Sequence, residues 1–379
     1  MQTKNNIKTT KRIIAIVILL IIAFLIFSFF SLITSFVTQL FYPEAKKSTS
    51  VVPFPYSYSD SITPFNNNIL YYDGQNLQCL TDKGGVNWSF HIGGGGDFSV
   101  YKDNIVAWNS NSIFVINDKG HSSYSDNFDE TIQFAEIGEQ YIGIVIGELN
   151  DARVVVKDLV GSHMDEEIEA YEDLIILDLG FHGPHGEYLW SLALDPYSTV
   201  INTMFNTYEV GKMNTGSTSL GEHIAYKVLY EQDRLKIINT QNLLVFDKKG
   251  YLDSESNLLL YGWKYIQHYI DEGNGIFSIL FGKNSETLNE YTLNELRLIH
   301  GDMDKRYTLP ETCVGAVVYD QKIYAFSSDI VYIQHRNAPN FTPYEISGLS
   351  NVTRVIGVLD NGKIIVACGT EVNIVTMPI

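Results

Sequence analysis

The chain is poor in cysteine, in proline and in positive charge, and each shortage removes a class of protein. Its three cysteines, Cys79, Cys313 and Cys368, are odd in number, far apart and in no CxxC spacing, so neither a disulfide framework nor a zinc site is indicated. Three buried, apolar thiols account for them. In an exported chain this scarcity points to a bacterial envelope that uses few disulfides. Lysine and arginine number 26 against 44 acidic residues, a net charge of −18. Such a surface repels phosphate backbones and anionic headgroups, which argues against a nucleic-acid partner. Proline is limited to 10 residues, and no long amphipathic helical pattern occurs beyond residue 58. There is no GxSxG, HExxH or GK[ST] signature and no adjacent cysteine pair. No catalytic residue, cofactor or metal is therefore assigned.

What is present begins with a membrane segment. From Ile13 to Ile33 run 21 residues without a charge; as a helix rising ~1.5 Å per residue they cover the ~30 Å of a bilayer core. The apolar stretch continues into Phe36, Val37, Leu40 and Phe41 with no small-x-small site after it, which favours an uncleaved anchor over a signal peptide. Lys4, Lys8, Lys11 and Arg12 precede the span and no acidic residue occurs before Glu44, so the positive-inside bias places the N-terminus in the cytoplasm. Without those four, 22 basic residues face 44 acidic ones, a net of −22 for the remainder. The expected organisation is a cytoplasmic tail over 1–12, one transmembrane helix over 13–35, a Pro-, Ser- and Lys-bearing stalk over 36–55 and an extracytoplasmic domain over 56–379.

That domain, at 45% hydrophobic and 18% charged residues in a chain with 24 Tyr and 20 Phe, reads as all-β. Strand-like runs recur in pairs whose first members start at Ile69, Ile105, Ile142, Tyr188, Leu235, Ile276, Ile323 and Ile364. Successive starts are 36, 37, 46, 47, 41, 47 and 41 residues apart, matching the ~40–45 residues of a four-stranded propeller blade. A further run precedes most pairs, as in DFSVY before Ile105 and GAVVYD before Ile323, and VNWSFHI follows the first pair. The expected fold is a β-propeller of eight blades, with seven as the competing count, preceded by one transmembrane helix. The last repeat lacks a fourth strand, which the stretch from Val51 to Ile62 can supply to close the ring.

The segment Leu80-Thr-Asp82-Lys-Gly84-Gly85-Val-Asn-Trp88 resembles the turn-and-tryptophan element of quinoprotein-like propellers. Asp118 with Gly120, Asp158 with Gly161 and Asp247 with Gly250 repeat its turn, without the tryptophan. HGPHGEYLWSL from His182 resembles the turn-then-strand element of WD40-like propellers, with His185 where Asp is typical. The whole layout resembles a family of membrane-anchored propellers of unknown function from Gram-positive bacteria. These resemblances imply a fold and a side of the membrane, and no activity.

Four constellations invite chemistry. His182, His185 and Glu187 have a spacing that suits metal ligands, although Gly-Pro and His-Gly ahead of a strand suit a turn. Gly93 to Gly96 can turn backbone N–H groups to an anion, but no helix follows to add its dipole. The acidic stretch from Asp165 to Asp173 lacks the loop pattern that wraps oxygen ligands around Ca²⁺. The function expected is a membrane-anchored binding or scaffold module at the cell envelope, with a protein or glycan partner. The alternative is an extracytoplasmic glycan hydrolase or lyase with Glu187 and Asp195 near one face.

Overall fold

Apolar residues in unbroken runs must be covered on both sides, and strands such as Asn104–Trp108, NIVAW, with four consecutive buried positions, require sheets packed on both faces. The computed structural model meets that requirement. It describes residues 49–167, 171, 173–212, 215–271, 275–284 and 292–378. Residues 50–377 form one compact unit; residues 1–49 and 378–379 are counted apart. The tail over 1–12 and the span bounded by Ile13 and Ile33 lie outside the described residues, as does the stalk up to residue 48. Among the described residues no helix is long and apolar enough to cross a membrane.

The described chain forms eight four-stranded antiparallel sheets, each made of strands in sequence order apart from one. Blade 1 comprises Ile62–Phe65, Asn68–Tyr72, Asn76–Thr81 and Val86–His91, and blades 2 to 7 follow in the same manner. Blade 8 takes its first three strands from Arg354–Val358, Ile364–Cys368 and Glu371–Thr376, and its outermost strand from Ser50–Pro53 at the other end of the domain. Ser50 pairs with Thr376 and Pro53 with Asn373. The ring is thus closed by the stretch expected to close it, and the count is eight rather than seven. Ser50–Pro53 were expected in the stalk; pairing draws them into the propeller, which starts about six residues earlier than the boundary at 56.

First strands of successive blades adjoin one another around the ring, as in Asp97–Tyr101 against Ile132–Ile137 and Gly315–Tyr319 against Arg354–Val358. The core is correspondingly divided. Eight hydrophobic clusters occupy the eight interfaces between neighbouring blades, for example Phe205, Leu235 and Phe246 between blades 4 and 5. Second and third strands lie inside these layers and are largely buried, with polar residues such as Asn206, Thr207 and Arg297 buried among the apolar ones. Fourth strands form the rim; in Ser122–Asn127, SSYSDN, half-buried residues are set among exposed ones. Five first strands carry a β-bulge near their start, at Gln133, Leu177, Tyr226, Ile266 and Ile356. A bulge sets its extra residue out of the ladder and re-aims it; Leu177 and Tyr226 remain exposed as a result.

Candidate functional site

The strand order gives the ring two faces. Loops from the fourth strand of one blade to the first of the next, and from second to third strand, lie on one face, here called upper. First-to-second and third-to-fourth connections lie on the lower face. Ser50 and Thr376 sit at the lower end of blade 8, so the chain enters and leaves the propeller there.

The lower face holds the repeated turns. Gly84, Gly120, Gly161 and Gly250 each donate a backbone N–H to a residue three positions earlier, at 2.9 to 3.1 Å: Thr81, Asn117, Asp158 and Asp247 respectively. Side chains of the same four residues accept the N–H groups two and four positions on. Asp158 and Asp247 are therefore the turn acceptors in blades 3 and 5, whereas in blades 1 and 2 the acceptors are Thr81 and Asn117, one residue before Asp82 and Asp118. Asp82 instead binds Lys363 Nζ at 2.7 Å and Asn361 at 2.9 Å, joining blade 1 to blade 8. Trp88 lies on the turn of the following blade and donates its indole N–H to the Asp118 carbonyl at 2.8 Å.

His182, His185 and Glu187 form a first-to-second strand turn on the lower face. The His182 ring is buried, 2.8 Å from Thr207 Oγ1 and stacked on Tyr188 with ring centres 5.1 Å apart. Burial pushes its pKa down to about 4. His185 is exposed, and its backbone N–H donates to the Glu187 carboxylate at 2.9 Å. One histidine is buried and the other exposed, so the spacing serves a turn. Among the described residues no group of three or more His, Cys, Asp or Glu is placed to hold a metal ion. Of the cysteines, Cys79 and Cys313 are buried and Cys368 is half-buried, all three free; burial raises the first two thiols to about 11 and about 12.

Glu187 and Asp195 were expected near one face, but they stand at opposite ends of the second strand of blade 4, Tyr188–Asp195. At ~3.3 Å per residue that strand holds them more than about 20 Å apart, far beyond the ~5–9.5 Å over which paired carboxylates act on a glycosidic bond. Asp195 caps its own loop, accepting the N–H groups of Tyr197 and Ser198 at 3.0 Å each. The glycine run is similarly occupied within the fold: Tyr72 Oη donates to the Gly93 carbonyl at 2.5 Å and accepts from Gly96 N–H at 3.0 Å. In the acidic stretch, Asp165 accepts from Gly211 N–H at 2.8 Å and Glu166 pairs with Arg153 at 2.7 Å. Residues 168–170 and 172 of that stretch lie outside the described ones.

The upper face of blades 3 to 5 is different in kind. Blade 4 joins its second and third strands by residues 196–201, Pro-Tyr-Ser-Thr-Val-Ile, every one exposed, where the blade 3 and blade 5 equivalents have two residues. Tyr197 is 66% exposed and Ile201 50%. Tyr197 Oη meets Asn150 Nδ2 of the blade 3 loop at 3.3 Å, next to exposed Leu149. On the other side Ser219 Oγ donates to Asn202 at 2.7 Å, tying the loop to the connection that carries exposed Ile224 and leads to Tyr226. Asp173, Leu174, Asp195, Tyr197 and Ser198 line a hollow of about 410 Å³ at its centre. The upper-face connections of blades 2 to 5 are acidic: they carry Asp129, Glu148, Asp151, Asp173 and Glu222, all exposed. Arg153, the nearby cation, is already paired with Glu130 at 2.6 Å and with Glu166.

Inside the ring, first strands of blades 2 to 6 contribute Ser99, Glu136, Asp178, Lys227 and His268. Burial pushes the Glu136 carboxyl up to about 7, opposed by a hydrogen bond from Ser99 and reinforced by the charge of Asp178. Asp178 is raised by burial and lowered by Lys227. Burial, with Lys227 adding to it, takes His268 down to about 4, and its Nδ1 lies 2.6 Å from Tyr265 Oη. These five residues share no sequence spacing that advertises them, and the exposed 196–201 loop carries no motif of its own.

No family model matches the sequence, and no curated protein matches it either. The likeness to membrane-anchored propellers of Gram-positive bacteria therefore rests on the sequence layout alone. Solved structures do match. The chain is similar to BamB from Moraxella catarrhalis, at 9% identity, TM-score 0.52, covering 86% of this chain and 98% of that one. It is also similar to Sqt1 from Saccharomyces cerevisiae, at 10% identity, TM-score 0.53, covering 88% and 99%. At such identities the likeness is one of fold, the β-propeller.

Proposed function

We propose that this chain is a membrane-anchored, extracytoplasmic propeller that works as a binding or scaffold module at the cell envelope, through the upper face of blades 3 to 5. The observation that carries the reading is the exposed apolar loop of blade 4 with its neighbours Leu149, Ile224 and Tyr226. Exposed apolar side chains grouped on one face mark interaction surfaces, because in water they cost free energy that a partner removes. The topology part of the proposal rests on the uncharged run from Ile13 to Ile33 and the basic residues before it. Ser50, the first residue of the blade 8 outer strand, lies on the lower face, opposite the patch.

Photo-crosslinking in intact cells tests this reading. A photoreactive residue at Tyr197 or Ile201 is expected to give a discrete adduct, and one at Tyr251 on the lower face none. External protease should remove the propeller from spheroplasts. Absence of any adduct from the upper face, or protection of the domain, would overturn the proposal.

A further inference from the structure

Resting on that reading, we infer that the partner presents a cationic, apolar protein segment, whose lysine or arginine enters the hollow between Asp173 and Asp195 while its apolar side chains cover Tyr197, Val200 and Ile201. Two independent features of the surface converge on this chemistry. The first is shape and apolarity: the 196–201 loop offers a ridge of exposed Tyr, Val and Ile beside a hollow of about 410 Å³, room for one long side chain. The second is charge. Five exposed carboxylates, Asp129, Glu148, Asp151, Asp173 and Glu222, stand on the upper-face connections of blades 2 to 5, and Arg153 at the upper end of blade 3 is spent on Glu130 and Glu166. An anionic partner would meet uncompensated like charge, whereas a cation gains from the carboxylates and from the face of Tyr197. An apolar partner without charge would leave the carboxylates partly desolvated and unpaired. The same argument separates a protein from a lipid surface, because anionic headgroups are repelled by this rim.

The test uses the full chain held in neutral-lipid nanodiscs and fluorescent peptide probes of roughly 18 residues, five helical turns. A Lys/Leu peptide with its leucines on one helical face is the positive probe; Glu/Leu and Lys/Ser peptides of the same length are the comparisons. Binding of the Lys/Leu peptide is expected, weakening several-fold as salt is raised through the range where the Debye length falls from about 10 Å to about 3 Å. Tyr197→Ser with Ile201→Ser should weaken it by about tenfold or more, the loss of a central apolar anchor. Asp173→Asn with Glu222→Gln should weaken it less and flatten the salt dependence; Asn is suited to the positive φ of 61° at Asp173. Tyr251→Ser on the lower face should change nothing. Equal binding of the Lys/Ser peptide, or of the Glu/Leu peptide, or indifference to the Tyr197 and Ile201 changes would overturn the inference. So would flotation of the disc-held chain with phosphatidylglycerol vesicles through Tyr197 and Ile201, which would make the face a lipid surface. A cellular crosslink from Tyr197 to an acidic protein or to a glycan would sink this partner chemistry while leaving the binding module standing.

Discussion

Among single residues, Glu136 has the most at stake, because its carboxyl is held inside the ring with Ser99 as hydrogen-bond donor and Asp178 as a like-charged neighbour. Its pKa rises from 4.5 to about 7. A carboxyl raised in this way keeps its proton in the folded chain at pH values where the unfolded chain has lost it. Between pH about 4.5 and 7 folding therefore takes up a proton, and stability contributed at this site falls as pH rises. His182 and His268, both lowered to about 4, slope the other way between 4 and 6.5. A difference between wild type and Glu136→Gln cancels the histidines. The variant is expected to match wild type at pH 4, gain through pH 7, and level off above about pH 8 at on the order of 3 kcal/mol more stable. Urea unfolding at pH 4, 6 and 8 reads this directly, and a gap that does not grow with pH would show that Glu136 is not held as a neutral acid.

At the scale of elements, blades lock through the turn glycines. Gly161 has φ +92°, and a Cβ there would lie 2.1 Å from the ring of Tyr124, which reaches across from the fourth strand of blade 2. Gly120 has φ +77°, and a Cβ there would lie 2.7 Å from Trp88 of blade 1. Gly74 has φ +96° with nothing within 4 Å. Gly74→Ala should thus cost only the backbone part, about 1 kcal/mol. Gly161→Ala adds displacement of Tyr124 and should cost about 2–4 kcal/mol in denaturant unfolding. Equal costs at the two sites would refute the inter-blade lock. Tyr124 stands where Trp88 stands one blade earlier, which sequence could not disclose, since an aromatic in the polar strand SSYSDN gives no alternating pattern of its own. Second and third strands were legible for the opposite reason: covered by blades on both sides, most of them carry runs of apolar residues, and all eight pairs read from the sequence are those strands. Asp82 and Asp118 do lie in their turns, each one residue after the acceptor, because Thr81 and Asn117 accept the N–H groups that Asp158 and Asp247 accept elsewhere.

For the whole molecule, the decisive contact joins residues more than 300 positions apart, Ser50–Pro53 on Glu371–Thr376. Closure was legible as a count of strands, three in the last repeat against four elsewhere. Its register was not, because Val51 and Val52 alone suit either neighbour. Beyond pairing, the segment brings buried Phe54, 6% exposed, into the cluster between blades 8 and 1, and Val51 and Val52 against the clusters on either side of blade 8. A chain starting at Tyr56 loses all of these and leaves Glu371–Thr376 as an open edge. Deleting one buried Phe alone costs about 3–5 kcal/mol, and an open edge invites pairing with another chain. Such a chain is expected to melt well below one starting at Thr49 and to scatter light increasingly with concentration. A synthetic peptide of residues 49–58 added in trans should restore melting toward that of the longer chain by refilling the edge, with the effect saturating as the peptide is raised. If the two chains melt alike, or the peptide has no effect on the shorter one, then the ring does not depend on its N-terminal strand for closure.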